Sequence, residues 1–171
     1  MLTVRMKSDS RKLRNKYGQM WLDVGCGENK QSGCVGMDRR KVTGVDVVHD
    51  AERIPWPFPD RIFDRVILSH VMEHLKPWLV NDIMDEMWRV MKAQGQLMIA
   101  MPYAGSFGFY QDPTHVKAWN EATATYFDPE HASKLYDIYK PKPWKIEANV
   151  WRMDGNLEVV FSKRSLNGNT R

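Results

Sequence analysis

The chain has 171 residues, 43% hydrophobic and 27% charged, the length and balance of one ordinary globular domain that buries a core without disulfides or metal. No apolar run approaches the roughly 18 residues of a membrane-spanning helix, so no membrane partner is expected. The net charge of +4 is uneven, with +5 on residues 1–17, +3 on residues 162–171 and −4 on the body between them, whereas a nucleic-acid enzyme concentrates its positive field beside its site.

In chain order, MLTVRMKSDSRKLRNK is basic without the apolar segment of a secretory signal, and reads as a flexible basic arm at about 1–17. MWLDVG, 20–25, is a buried strand ending in the glycine turn GCG. CVGMD, 34–38, and VDVVHD, 45–50, are short strands that each end in an aspartate, and FDRVILS, 63–69, is the most hydrophobic strand of the set. Pro77 opens a helix over 78–95, WLVNDIMDEMWRVMKAQG, with an apolar stripe for a sheet and Gly95 as its C-terminal cap. QLMIAMP, 96–102, is the next strand. WKIEANVWRM, 144–153, and NLEVVFSK, 156–163, then form a hairpin about Asp154-Gly155, so the sheet ends antiparallel, and a second basic arm follows at 162–171. Strand runs alternating with a helical run make an α/β fold in one domain, 1–171. The two cysteines, Cys26 and Cys34, form no CxxC pair; both thiols read as packing groups, and a reducing cytoplasm is the expected compartment.

LDVGCGENK, 22–30, carries the most chemistry. Glycines at 25 and 27 let the backbone approach a ligand at the carboxyl end of a strand, where open α/β sheets bind their ligands. The third glycine of a dinucleotide fingerprint is missing, with Asn29 near its place, and no GKS or GKT follows to cradle phosphate. Asp38 closes the next strand, where such folds present an acid to two ribose hydroxyls, so an adenosine ligand is favoured.

The ordered series LDVGCGENK, VGMD and GVDVVHDAERIPWPFPDRIFDRVILSHVMEHL resembles the class I S-adenosylmethionine-dependent methyltransferases over residues 20–103, in particular a compact bacterial and phage-type branch like methyltransferase type 11. The resemblance implies a Rossmann-like sheet, mostly parallel with an antiparallel C-terminal hairpin, S-adenosylmethionine as cofactor and S-adenosylhomocysteine as product. It implies that Asp23, Gly25 and Gly27, with Cys26 between the glycines, surround the methionine part of the cofactor. By the same resemblance Asp38 bonds the ribose, Asp50 accepts from the adenine amino group, the backbone of Ala51 meets the ring, and Ser69 and His70 flank the cofactor. The chain departs from the family where six residues separate Gly27 from Cys34, too few for a crossover helix. One or two N-terminal helices are therefore expected to be missing, leaving a face for a second subunit of a homo-oligomer or for the N-terminal arm.

HVMEH, 70–74, also matches HxxEH, the inverted zinc-peptidase signature. Pro77 leaves His70 and His74 little more than one turn to share a face, and the acids downstream lie on a helix whose other face is core. The segment reads as a cofactor wall with no metal, and a zinc hydrolase is the remote alternative. A base for an acceptor comes either from His70, Glu73 and His74 or from GFYQDPTHVKAW, 108–119, with Tyr110, Asp112 and His115. A blander reading has Asp112 and Thr114 cap the next helix. No NPPY or DPPY follows the fourth strand; MPY, 101–103, follows the fifth, which argues against exocyclic-amine base methylation. The expected activity is methyl transfer to oxygen or nitrogen of a small molecule or glycan, with nucleic acid reached through the basic termini in second place. The competing reading is a cofactor-binding module that acts through a partner.

Overall fold

The computed structural model describes residue 14 and residues 18–164; the remainder of the N-terminal basic segment and residues 165–171 lie outside the described residues. Seven strands form one sheet in the order β3-β2-β1-β4-β5-β7-β6. β1 (Trp21–Val24) runs parallel between β2 (Cys34–Asp38) and β4 (Phe63–Ser69). β3 (Val47–Val48) is the parallel edge, and β5 (Met91–Pro102) extends the parallel set beyond β4. β7 (Asn156–Lys163) is antiparallel to both β5 and β6 (Trp144–Trp151), as the Asp154-Gly155 turn requires. Every residue of β2 is buried, the pattern of a parallel strand covered on both faces. The chain reverses its strand order between β1 and β4, and ligands of open α/β sheets bind at such a switch point, outside the carboxyl ends of the strands.

The trimming goes one connection further than expected. Among the described residues no α-helix lies between β1 and β2, between β2 and β3, or between β3 and β4; turns take their place. The third expected strand shrinks to Val47–Val48 because the Asp46 carboxylate turns back and accepts from the Gly36 amide at 2.7 Å, taking a donor that the ladder would otherwise use.

The expected helix over 78–95 is also shorter. Pro77–Leu79 is a single 3-10 turn, and α1 spans Val80–Val90 with Val80, Ile83, Met84, Met87 and Val90 buried at helical spacing. Gly95 is not its cap. The amides of Arg61 and Ile62 take the carbonyls of Arg89 and Val90 at 2.9 and 2.8 Å, so the last turn is satisfied from outside the helix and Met91 starts β5 at once. Gly95 lies inside that strand, in the stretch where the β4–β5 register shifts.

The long connection from Asp50 to Phe58 is tied to α1 by one network. Glu86, buried on α1, accepts from the Trp56 amide at 2.6 Å and pairs with Arg89, which also reaches the carbonyls of Phe58 and Trp56. At the C-terminal end, the Lys163 ammonium sits 4.0 Å over the Trp88 ring and bonds the Met91 carbonyl, while Arg164 bonds Asp128 at 2.9 Å and Glu130 at 2.6 Å. These two cations, expected on a free arm, belong to the folded body.

Candidate active site

A cleft of about 720 Å³ opens at the carboxyl ends of β1, β2 and β4, lined among others by Gly25, Asp38, Asp50, His70, His74 and Thr114. That falls within the roughly 300–1,000 Å³ of small-molecule sites. Gly25 of the glycine turn lines it, with Gly25 at φ 69° and Gly27 beside it at φ 51°. A Cβ on Gly25 would stand 2.4 Å from Val71 Cγ2, so the turn packs directly on the opposite wall. Gly25→Ala adds this overlap to a left-handed strain of about 1–2 kcal/mol. It should weaken binding of S-adenosylhomocysteine about tenfold by calorimetry; wild-type affinity would mean that the turn does not touch the ligand.

Asp38 is 6% exposed and holds the turn in place. Its Oδ2 accepts from the Gly27 amide at 2.9 Å, and its Oδ1 accepts from the Arg40 amide at 2.8 Å and from Arg40 Nε at 3.3 Å. Burial pushes this carboxyl up, but the Arg40 and Gly27 hydrogen bonds and the guanidinium charge outweigh it and hold the group below the ordinary aspartate value of 3.8. Asp50 and Ala51 face the same cleft from the β3–β4 connection, Asp50 Oδ1 accepting from the Glu52 amide at 3.0 Å and the Ala51 carbonyl from Trp56 Nε1 at 3.0 Å. Glu52 bridges the rim to Lys76, 2.6 Å from its ammonium and 2.8 Å from its amide.

Four expected cofactor residues stand back from this lining: Gly27, which gives its amide to Asp38, and Asp23, Cys26 and Ser69. Asp23 is buried and accepts from the Gln31 amide at 2.7 Å, bracing the loop after the turn; burial raises its pKa, opposed by that bond and by Lys30. Cys26 is buried, and burial first, then the nearby Asp23 and Asp38, push its thiol up to about 11. It is a packing group without thiolate character. Ser69 is exposed at the end of β4 and does not line the cleft.

The far wall gathers most of the candidate acid–base groups. His70, at φ 55°, leaves β4 with its amide on the Ala100 carbonyl at 2.8 Å and its Nδ1 3.3 Å from Glu73 Oε1. The helix that an HxxEH site would need, the remote alternative, is not formed: Met72–His74 is one 3-10 turn. The loop after β5 folds back over it, the amides of Val116 and Lys117 both donating to the Glu73 carbonyl. This brings in His115, whose side chain is 7% exposed with Nε2 3.9 Å from Glu73 Oε1, and Thr114, whose hydroxyl meets His74 Nδ1 at 2.9 Å. Asp112 does not cap a helix: its carboxylate takes the Thr114 amide and hydroxyl at 2.8 and 2.7 Å, while Asn120 caps the next helix, α3 (Glu121–Thr125), counting Phe107–Tyr110 as α2. Tyr110 ends α2 exposed and away from the cleft.

A family model described as "Methyltransferase domain" matches residues 22–99, the span that carries β1 to β4, α1 and most of β5. Residues 22–99 are thus similar to a methyltransferase domain, and the seven-stranded sheet is that of a Rossmann-like methyltransferase fold. Solved methyltransferases share the fold: one from Archaeoglobus fulgidus, described as SAM-dependent, is 20% identical with a TM-score of 0.62 over 85% of this chain and 86% of its own. The Burkholderia thailandensis 1,6-didemethyltoxoflavin-N1-methyltransferase, with its substrate and S-adenosylhomocysteine bound, is 14% identical with a TM-score of 0.60 over 94% and 78%. The 16S rRNA (adenine(1408)-N(1))-methyltransferase of Catenulisporales acidiphilia, with SAM, is 14% identical with a TM-score of 0.60 over 92% and 89%. None of the curated proteins compared matches the sequence. Among the described residues, no helix is long and apolar enough to cross a membrane. Sequence reasoning did not single out Arg40 or Thr114 as site residues. Both lie two residues after an aspartate, the Asx-turn spacing that would have flagged them.

Proposed function

We propose that this chain is an S-adenosylmethionine-dependent methyltransferase that binds the adenosine end of the cofactor between Asp38 and Asp50 and methylates oxygen or nitrogen of a small molecule or glycan at the histidine wall. What carries the proposal is that one cleft presents two carboxylates, Asp38 and Asp50, and two imidazoles, His70 and His74, with the buried Glu73 and His115 packed behind those imidazoles. Asp38 accepts the ribose hydroxyls, for which the 60%-exposed Arg40 head yields readily. Asp50 accepts from the adenine amino group, the Ala51 backbone lies on the ring, and the Gly25–Gly27 turn takes the methionine part. Cys26, Asp23 and Ser69 support the turn and the strand end from behind. The bound cofactor supplies an electrophilic methyl group on a sulfonium, so the protein's work is alignment, exclusion of water and removal of the acceptor proton.

His70 is placed for that last task. It is half exposed into the cleft, its Nδ1 side turned to the Glu73 carboxylate, which leaves Nε2 for the acceptor. His74 completes the wall with the buried His115 behind it, and Asp112 acts through Thr114 to orient His74. His70→Ala should lower the initial rate of methyl transfer about 100-fold at saturating cofactor, with cofactor affinity much less affected; an unchanged rate would remove His70 as the base.

The test of the acceptor class is transfer of labelled methyl from S-adenosylmethionine into fractionated cell extract. Label in the small-molecule or glycan fraction supports the proposal. Label in RNA or DNA would instead favour the second reading, nucleic acid held by the basic N-terminal segment, and would be sensitive to salt. Binding of cofactor with no label in any fraction would favour a module that works through a partner. Two free cysteines suit a reducing cytoplasm, and the β3 edge of the sheet, with Val48 exposed, suits a second copy of the chain.

A further inference from the structure

Glu73 is wholly buried, and neither of its carboxylate oxygens has a hydrogen-bond partner. A buried carboxylate is ordinarily kept by several donors or by a cation. Here the groups that face it are imidazoles: His70 Nδ1 at 3.3 Å and His115 Nε2 at 3.9 Å.

The outer contacts of the histidines fix which nitrogen is free. His115 Nδ1 lies 2.9 Å from the Phe109 carbonyl, which only accepts, so Nδ1 carries the hydrogen and a neutral ring turns the lone pair of Nε2 toward Glu73. Thr114 gives its hydroxyl hydrogen to Asp112 Oδ1 at 2.7 Å and therefore accepts from His74 Nδ1, leaving His74 Nε2 as the lone-pair nitrogen. A nitrogen of each ring and an oxygen of Glu73 all lie within 4.8 Å of one another. Two lone-pair imidazoles, each anchored through its other nitrogen, beside an unpartnered carboxylate are the donor set and the outer shell of a mononuclear metal centre. Ligands of a tetrahedral zinc stand roughly 3.3 Å apart, so modest side-chain rotations close the set.

We propose that Glu73, His74 and His115 bind one divalent first-row transition ion at the inner wall of the cleft. The arrangement differs from the HxxEH pattern read in the sequence: the second imidazole comes from the loop after β5 and not from His70, and no zinc-peptidase geometry is formed. Because His74 and Thr114 line the cleft, the open coordination positions face the acceptor. On the methyl-transfer reading the ion would hold an acceptor hydroxyl and lower its pKa, which favours oxygen over nitrogen as the methylated atom.

The test is calorimetric titration of chelator-treated full-length protein with zinc chloride alone, with S-adenosylhomocysteine titrated into the same samples. Wild type should take up one zinc per chain, and Glu73→Gln and His115→Ala should each lose at least about tenfold in zinc affinity while still binding S-adenosylhomocysteine. Thr114→Val, which removes only the anchor of His74, should lose about tenfold. His131→Ala, whose ring bonds Ser133 elsewhere, should lose nothing. Replacement by Co²⁺ gives a visible spectrum that reports nitrogen and oxygen ligands on the wild type even where a variant fails to fold. No saturable zinc uptake by wild type, or uptake unchanged in both Glu73→Gln and His115→Ala, overturns the metal site. Zinc uptake without S-adenosylhomocysteine binding would fail the cofactor reading and leave the metal site standing.

Discussion

Asp38→Ala should weaken the binding of S-adenosylhomocysteine at least about 100-fold, close to 2.8 kcal/mol, with the circular dichroism of the folded protein unchanged. Two effects add. The carboxylate is the acceptor for the ribose hydroxyls, and a hydrogen bond to a charged group contributes about 1.5–3 kcal/mol. It also holds the Gly27 amide at 2.9 Å, so its loss frees the turn on which the methionine part rests. Asp38→Asn keeps the shape but not the charge and should cost about tenfold. Hydrogen bonds and the Arg40 charge hold Asp38 below the ordinary value of 3.8, so its contribution to folding is complete above that pH and is lost as pH falls through its own lower value. Wild-type affinity in the alanine variant would mean that the ribose is not held at the end of β2.

Arg89→Ala should lower the free energy of unfolding in urea by about 3–5 kcal/mol. Arg89 meets both oxygens of Glu86, at 2.6 and 2.8 Å, and Asp60 at 2.6 Å. The Glu86 hydrogen bonds raise the arginine further above its ordinary range against the opposing effect of burial. Glu86 is 4% exposed and also accepts from the Trp56 amide, so without Arg89 a buried charge is left with one donor and the Asp50–Phe58 connection loses its tether. Replacing the pair together, Glu86→Leu with Arg89→Met, should recover most of the loss, because an apolar pair removes the desolvation penalty as well as the attraction. A loss below about 1 kcal/mol in the single variant would show that the pair behaves like a screened surface contact.

The strands that build the cleft are legible in the sequence because their signals are local. An apolar run entering GCG, and a second run ending in Asp38, specify a strand, a left-handed turn and an acid without reference to distant residues. The C-terminal end of α1 is not local. Helical periodicity continues through Met91, but Arg61 and Ile62 supply donors from another element and Met91 is drawn into β5. The same distinction separates the two halves of the site. Asp38 ends β2, Asp50 and Ala51 follow just after β3, and all three face the cleft, whereas Asp23 faces the Gln31 amide, a partner that appears only when the loop closes. His70 and His74 were legible as a wall. The isolation of Glu73 was not, since it depends on the loop after β5 returning to cover Met72–His74 and insert His115. Asp112 and Thr114 read as a helix cap because an Asx turn and an N-cap share residue types.

The central claim is that this cleft holds S-adenosylmethionine in the manner described. It is tested most directly by calorimetric titration of chelator-treated protein with S-adenosylhomocysteine, which needs neither the acceptor nor a metal. The account predicts saturable binding at one per chain with micromolar affinity, lost in Asp38→Ala. No binding by the folded wild type, or binding that Asp38→Ala leaves intact, would contradict it.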